Sequence, residues 1–400
     1  MENLIINENN TETNKYEGDY DENESSASIS EYDITVSPND FNLGTIFNFI
    51  EKGVFKIPGF QRNYVWDIKR ASKLIESLLM NIPIPQIFLY EEGKNNFLVI
   101  DGQQRLMSIY YFMKERFPKR DKRVELRKIF EENSKIPDEI LYNNEYFIDF
   151  NLNLPEQLPD NPNKFNKKNY STLEDTDKTA LELKTIRNII IRSNKENNHS
   201  VEFEIFNRLN TGGVNLKPQE IRTSLYHSKF YDMLYKINSS ENWRSLLKNP
   251  TPNINMKEVE ILLRGFAMLV NKNNYRPSMT KFLNIFSYEA KSFEKNKIDL
   301  LEKIFNKFIE FCVNLKDENL FFTSNNRFNI SVYEAIFSTL CENAYQNEDE
   351  NSISNTSLEK INRLKKDEDF IRASSYNTSS KKNVDERNRI AKQILLSDGE

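Results

Sequence analysis

Apolar positions along this chain recur first with the period of a helix and then with that of a strand. Leu43 to Ile50 carry apolar side chains at helical spacing and close near Gly53, and Val54 to Ile57 alternate as an edge strand ahead of Pro58. Ile68, Ala71, Leu74, Ile75, Leu78 and Leu79 then fall at offsets of three, four and seven, which predicts an amphipathic helix ending before Pro83. Gln86 to Tyr90 and Phe97 to Ile100 read as two short strands joined by the polar turn Glu91 to Asn96, with Gly93 supplying turn freedom. Leu106, Ile109, Tyr110 and Met113 carry the next helix.

Between about Lys119 and Ser171 the pattern breaks into short apolar runs, prolines and Asn-rich turns, the signature of a variable insertion. Leu173 to Leu183 reads as a helix and the β-branched run Thr185 to Ile191 as a strand. A helical turn then leads into the paired glycines Gly212 and Gly213, after which Pro218 is placed to open another helix. Beyond Tyr231 nearly everything has helical period, including Val259 to Val270, Leu300 to Leu315 and Val332 to Ala344. The predicted class is α+β: an α/β domain over residues 37–230, carrying the insertion near 119–171, followed by an all-helical domain over 231–400.

Composition changes this picture mainly through the distribution of charge. The 400 residues carry a net charge of −5, but residues 1–35 hold ten acids and only Lys15, which leaves the rest mildly basic. Residues 1–36, rich in Asn, Glu and Ser, read as a disordered acidic tail. A mildly basic body permits contact with nucleic acid without requiring it. No apolar run approaches the roughly 18 residues needed to span a bilayer, and the first residues lack a basic region followed by an apolar core, so no membrane partner and a cytoplasmic location are expected. Cys312 and Cys341 are too few for a disulfide framework or a thiolate metal site and sit in helical apolar patterns, as reduced core residues do.

Three polar boxes interrupt the apolar pattern. Asp101-Gly102-Gln103-Gln104-Arg105 falls between a strand and a helix. On a local reading Asp101 caps the helix, Gly102 eases the turn and the next three residues are solvated. On a chemical reading the free N–H groups of the helix start and the fork of Arg105 receive phosphate, while Asp101 engages Mg²⁺ or water. The presence of Arg rather than an acid in a first helical turn lends weight to the second. In Gln61-Arg62-Asn63-Tyr64-Val65-Trp66, alternation puts Phe60, Arg62, Tyr64 and Trp66 on one face. That row suits core aromatics around a buried ion pair, and equally an Arg poised to stack on a base or grip a phosphate. Asn210-Thr211-Gly212-Gly213 is either an ordinary turn or a backbone that approaches a ligand closely, with Arg208, Gln219, Glu220 and Arg222 near it in sequence. It lacks the Gly-Lys-Ser/Thr ending of a Walker loop.

Taken in order, Pro58-x-Phe60-Gln61-Arg62-x-Tyr64-x-Trp66, then Asp101-Gly102-Gln103-Gln104-Arg105-Leu106, then Phe206-x-Arg208-Leu209-Asn210-Thr211-Gly212-Gly213-x-x-Leu216-x-x-x-Glu220-Ile221-Arg222, the chain resembles the N-terminal domain of GmrSD-type restriction systems, domain of unknown function 262, over roughly residues 38–230. That family in turn is similar to the ParB and sulfiredoxin fold, where a turn after a strand and an Asn/Arg-bearing helix bind nucleotide phosphates. The resemblance implies a nucleoside triphosphate and Mg²⁺ as cofactors. It places Gly102, Gln103, Gln104 and Arg105 in a phosphate turn faced by Asn207, Arg208, Asn210, Thr211, Gly212 and Gly213, with Asp101, Gln104 and Arg105 catalytic and Asp101 toward the metal. It implies DNA or base sensing by Gln61, Arg62, Tyr64 and Trp66, and a supporting role for Gln219, Glu220 and Arg222.

Many relatives also carry a nuclease domain of the His-Asn-His type, whose chemistry needs histidines. The only histidines here are His199 and His227, both read as surface residues, so that nuclease is not expected in this chain. The expected function is an NTP-hydrolysing sensor of a prokaryotic anti-phage restriction system, acting on DNA, modified DNA included, with a separate nuclease or effector as partner. Its rivals are a non-catalytic DNA-binding or effector-recruiting module and a ParB-like nickase working through Asp101.

Overall fold

The computed structural model describes residues 15–17, 34–57, 64–123, 125–126, 129, 136–155, 163–194, 199–209, 217–252, 256–323 and 326–397. The chain divides into two compact units, one over Glu31–Leu216 and one formed by Lys217–Glu400 together with the N-terminal residues.

The first unit is built on a five-stranded mixed sheet. Its strands are β1 (Ile34–Asn42), β2 (Phe55–Lys56), β3 (Ile87–Gly93), β4 (Asn96–Asp101) and β7 (Thr185–Ser193), in the spatial order β1-β7-β3-β4-β2. β7 runs parallel to β3 and antiparallel to β1, while β4 is antiparallel to β3 and parallel to β2. As the alternation of Val54 to Ile57 predicts, β2 is an edge strand. The other edge, β1, carries exposed polar side chains along most of its length and a proline at Pro38, which an edge strand tolerates because one side of its backbone needs no partner. In the β3–β4 hairpin, Gly93 lies within the strand pairing, and the left-handed residue is Asn95, at φ 60°. Asn tolerates that region better than other side chains do, so the turn needs no glycine.

Helices α1 (Leu43–Glu51), α2 (Ile68–Leu79) and α3 (Gln103–Met113) bury their apolar stripes against one another and against the sheet. Asp67 opens α2 by accepting the Arg70 N–H at 2.7 Å. A second small sheet pairs β5 (Arg116–Pro118) with β6 (Phe147–Asp149) and is followed by the short helix-to-strand lead-in through α5 (Asp175–Leu183); α4 (Asp138–Leu141) sits between β5 and β6. The stretch read as a variable insertion supplies Phe147, Phe150, Leu152, Leu154 and Phe165 to the same core as Leu106 and Phe112. It is built into the domain because its apolar residues, though scattered in sequence, converge on one aromatic cluster: Phe117 meets Phe150 and Phe112 meets Phe150 edge to face. The unit closes with α6 (His199–Leu209), which packs beside β4.

The second unit is helical and begins earlier than residue 231. Helix α7 (Pro218–Tyr226) belongs to it, followed by α8 (Lys229–Asn238), α9 (Glu241–Leu246), α10 (Lys257–Asn271), α11 (Met279–Ala290), α12 (Lys295–Asn314) and α13 (Ile330–Leu340), with further helices to Leu395. Trp243, Phe266, Phe305, Tyr333 and Phe337 form its aromatic centre. Cys312 and Cys341 are both buried free thiols within it. The acidic N-terminal stretch is not wholly a tail: Tyr16–Glu17 pair in parallel with Phe328–Asn329, and the Tyr16 hydroxyl donates to Glu258 at 3.1 Å. Residues 1–14 and 18–33 lie outside the described residues. Among the described residues no helix is long and apolar enough to cross a membrane.

Candidate functional site

β4 ends at Asp101, and the chain turns through Gly102 into α3. Gly102 has φ 99°, and a Cβ there would stand 2.8 Å from Ile87 Cγ1, so both conformation and space demand glycine. It is the N-cap residue of α3 and supplies no side chain to the first-turn amides. Asp101 does not cap the helix either, which overturns the local reading of this box. Its Oδ2 instead receives Arg105 Nη2 at 2.7 Å, across one helical turn.

Arg105 is held from three sides. Besides Asp101, its Nη1 donates to the backbone carbonyls of Pro85 and, at 3.0 Å, Gln86, the two residues that lead into β3. The Arg105 side chain is 11% exposed while that of Asp101 is 45% exposed. Burial lowers the Arg105 pKa and the Asp101 charge opposes that shift. The guanidinium thus stitches the start of β3 to the start of α3, and the more accessible charge at the turn is the carboxylate.

Gln104 ties this turn to the aromatic box. Its Oε1 accepts the backbone N–H of Val65 at 2.9 Å, with that of Trp66 at 3.4 Å. One turn further on, Ser108 Oγ donates to the Gln104 carbonyl at 2.7 Å and lies 2.8 Å from the Tyr64 hydroxyl. Gln103 is half-buried in the first turn of α3. Tyr64, expected to read DNA, is a core residue: it is 8% exposed, packed edge to face on Tyr111 and Phe117, with burial raising its pKa far above the ordinary value. Residues 64–67 are not a strand, so the proposed alternation does not extend to Trp66. Tyr64 turns inward and Trp66 stays half-buried, with the Arg70 guanidinium 4.6 Å over its ring.

Of the third box, Asn207 and Arg208 lie at the end of α6, where Arg208 is exposed and pairs with Glu204 at 2.6 Å. Gln61 and Arg62, like Asn210, Thr211, Gly212 and Gly213, fall outside the described residues. Gln219, Glu220 and Arg222 are buried in the helical unit. Glu220 accepts the Lys217 N–H at 2.7 Å at the start of α7, and Arg222 bonds to Gln219, to Asn284 at 2.9 Å and to Glu260 at 3.2 Å. Their spacing from the glycines in sequence is real, but α7 turns that face into its own unit's core. His227 pairs with Asp232 at 2.8 Å, and the side chain of His199 lies outside the described residues.

Among the described residues no three His, Cys, Asp or Glu side chains converge to hold a metal. A Mg²⁺ arriving with phosphates needs as little as one carboxylate from the protein, and the half-exposed Asp101 at a strand end fits that limited demand.

Beside Trp66 the structure also contains a cavity of about 520 Å³ between the start of α2 and the segment after β5. Arg70, Lys119, Arg120 and Arg123 line it. None of these was singled out by the motifs. The signal that could have found the last three is the basic run Lys119-Arg120-Asp121-Lys122-Arg123, inside the stretch read as an insertion.

A mixed α/β domain with a strand that runs through a left-handed glycine into a helix at its polar turn defines the class of this part of the chain. Residues 43–227 match the model of the GmrSD restriction endonuclease, N-terminal domain, and this part of the chain belongs to that family. No curated protein and no solved structure shows significant similarity to the chain.

Proposed function

We propose that this chain is the sensing component of a restriction-type anti-phage system, in which the GmrSD-type domain binds and hydrolyses a nucleoside triphosphate and couples that state to DNA. The observation that carries this reading is the link through Gln104. A residue of the phosphate turn holds the backbone of the aromatic box, so a change at one is felt at the other. The construction of the turn, with a strand running through a left-handed Gly102 into a helix start, supports kinship with the ParB and sulfiredoxin fold.

In this reading the first-turn amides of α3 receive phosphate oxygens, and Asp101 stands where it can hold the accompanying Mg²⁺. When bound, that ion supplies charge neutralisation on the phosphates. Arg105 acts by position: it fixes the carboxylate of Asp101 and the approach of β3. Gln104 transmits any shift of the turn to Val65 and Trp66. DNA cleavage is assigned to a partner nuclease.

One observation favours a second reading, a DNA-binding module without turnover. The Arg105 fork is already occupied by Asp101 and two carbonyls, so it offers phosphate little unless the turn opens. Phosphate release from ATP, GTP, CTP and UTP with Mg²⁺, measured for the wild type, Asp101→Asn and Arg105→Ala, separates the two. Turnover that Asp101→Asn abolishes in a protein of unchanged far-UV circular dichroism supports the first reading. Folded wild type that releases no phosphate from any nucleotide, with or without duplex DNA, overturns it.

A further inference from the structure

We propose that the cavity beside Trp66 is a second site, distinct from the phosphate turn, and that it takes a single nucleotide of a DNA strand with its base unstacked onto Trp66. The assignment of DNA rests on the defence reading above; the site itself rests on the following geometry.

Its volume, about 520 Å³, lies within the range of roughly 300–1,000 Å³ of small-ligand sites and is far too small for a duplex. One wall is aromatic and apolar: Trp66 carries Arg70 on its ring, and Val65 and Ile148 are 54% and 43% exposed beside it. Large exposed apolar groups around a half-buried indole are the platform on which a base stacks, since every base has a π-face.

The opposite wall is cationic in a way that invites an anion. Arg70, Lys119, Arg120 and Arg123 all line the cavity, and none makes a salt bridge with a described residue. Lys122, in the middle of the same run, points elsewhere and is matched by Glu145 at 2.7 Å and Glu125 at 3.5 Å. The charges that are paired off are thus the ones that do not face the cavity. Two carboxylates, Asp67 and Asp121, also line it, but Asp67 is committed to capping α2, and the cations still outnumber the acids.

Arg123 shows how the site is held ready. Its Nη2 donates to the Trp66 carbonyl at 2.9 Å, and its guanidinium lies 5.3 Å from the Tyr64 ring and 5.9 Å from that of Phe117. Its Nε is buried with no hydrogen-bond partner among the described residues. Burial lowers its pKa, the Arg120 charge acting in the same direction and Tyr64 and Asp67 against it. Two guanidinium groups crowded beside a tryptophan, one with an unmet donor, match a phosphodiester oxygen next to a stacked base. Flipping or fraying the base out of a duplex lets it enter such a cavity. A free nucleotide offers the same base and phosphate, and the test below distinguishes the two sources.

The experiment is binding of a fluorescein-labelled ten-residue single strand of dT to the full chain, read by anisotropy, with thymidine monophosphate as competitor. Trp66→Ala, Arg120→Glu and Lys119→Glu are each expected to weaken binding roughly tenfold or more. For Arg120→Glu and Lys119→Glu, circular dichroism, melting temperature and any basal NTP turnover stay as in the wild type, and Trp66→Ala keeps the wild-type circular dichroism. Arg120→Ala should also reduce the slope of log affinity against log salt by about one. A duplex bearing a mismatch should bind more tightly than the matched duplex, because its base leaves the stack at less cost. Oligonucleotide binding that is unchanged in folded Trp66→Ala and Arg120→Glu overturns the site. Monophosphate that binds as tightly as the strand overturns the assignment to DNA. Absence of NTP turnover leaves this inference standing, since none of its readouts depends on the phosphate turn.

Discussion

The side-chain oxygen of Gln104 accepts the backbone N–H of Val65 at 2.9 Å, joining positions 39 residues apart in sequence. This bond converts two motifs into one device. It predicts that Gln104→Ala loosens the Val65–Trp66 backbone and costs about 0.5–1.5 kcal/mol, the usual net worth of such a bond, whereas Gln104→Glu keeps the acceptor in a first helical turn that favours negative charge and stays near wild type. Urea unfolding of both variants checks the pair.

Gly102→Ala should be far more damaging than its size suggests. The new methyl meets Ile87 Cγ1 at 2.8 Å and the backbone sits at φ 99°. A loss of about 2–4 kcal/mol is expected from strain and overpacking together. A melting temperature within about one degree of wild type would contradict the described turn.

The Arg222 cluster predicts a stability effect in the helical unit. Arg222 and Glu260 are buried partners at 3.2 Å, and Lys257 also holds Glu260 at 2.8 Å, so Arg222→Ala removes one of two cations from a buried carboxylate and should cost about 3 kcal/mol, the low end for breaking a buried pair. Thermal unfolding measures it, and an exposed-residue effect within about 0.5 kcal/mol would argue against this packing.

Glu260 adds a pH dependence of definite sign. Burial alone would raise its pKa, but Lys257 and Arg222 hold it below the ordinary carboxylate range. A carboxyl with a lower pKa in the folded chain than in the unfolded one contributes stability that is full at neutral pH and is lost as pH falls below the unfolded value of roughly 4.3 toward the folded one. Glu260→Gln should therefore lower stability at pH 7 and flatten its decline between about pH 5 and 3. Chemical denaturation across that window reads the slope.

Much of the fold was legible because local periodicity and burial agreed. The stripe from Ile68 to Leu79 became α2, and the β-branched run from Thr185 became β7. β1 was not legible: its partner is more than a hundred residues away, its side chains are mostly exposed, and Pro38 argues against a strand unless the edge is known. The region after Lys119 misled for a related reason, since Phe147, Phe150 and Phe165 show their common destination only when folded.

For the candidate site, sequence identified the turn at Gly102 but not the direction of its side chains. Asp101 turning to Arg105 rather than to the helix amides depends on the carbonyls of Pro85 and Gln86, which no local pattern reveals. Tyr64 and Trp66 look equivalent by alternation, yet Ser108 draws one into the core. Gln219, Glu220 and Arg222 sit close to the paired glycines in sequence, but Arg222 pairs with Asn284 and Glu260, partners that only the helical packing supplies.

The claim that the phosphate turn and the aromatic box act as a unit is tested most directly by the fluorescence of Trp66 on addition of each nucleoside triphosphate with Mg²⁺. The chain has two tryptophans, and Trp243 is fully buried in the other unit, so Trp243→Phe isolates the signal. The account predicts a saturable change that disappears in Gln104→Ala while nucleotide binding itself, followed by calorimetry, is retained. Nucleotide that binds without any change at Trp66, or a change that persists in folded Gln104→Ala, would contradict it.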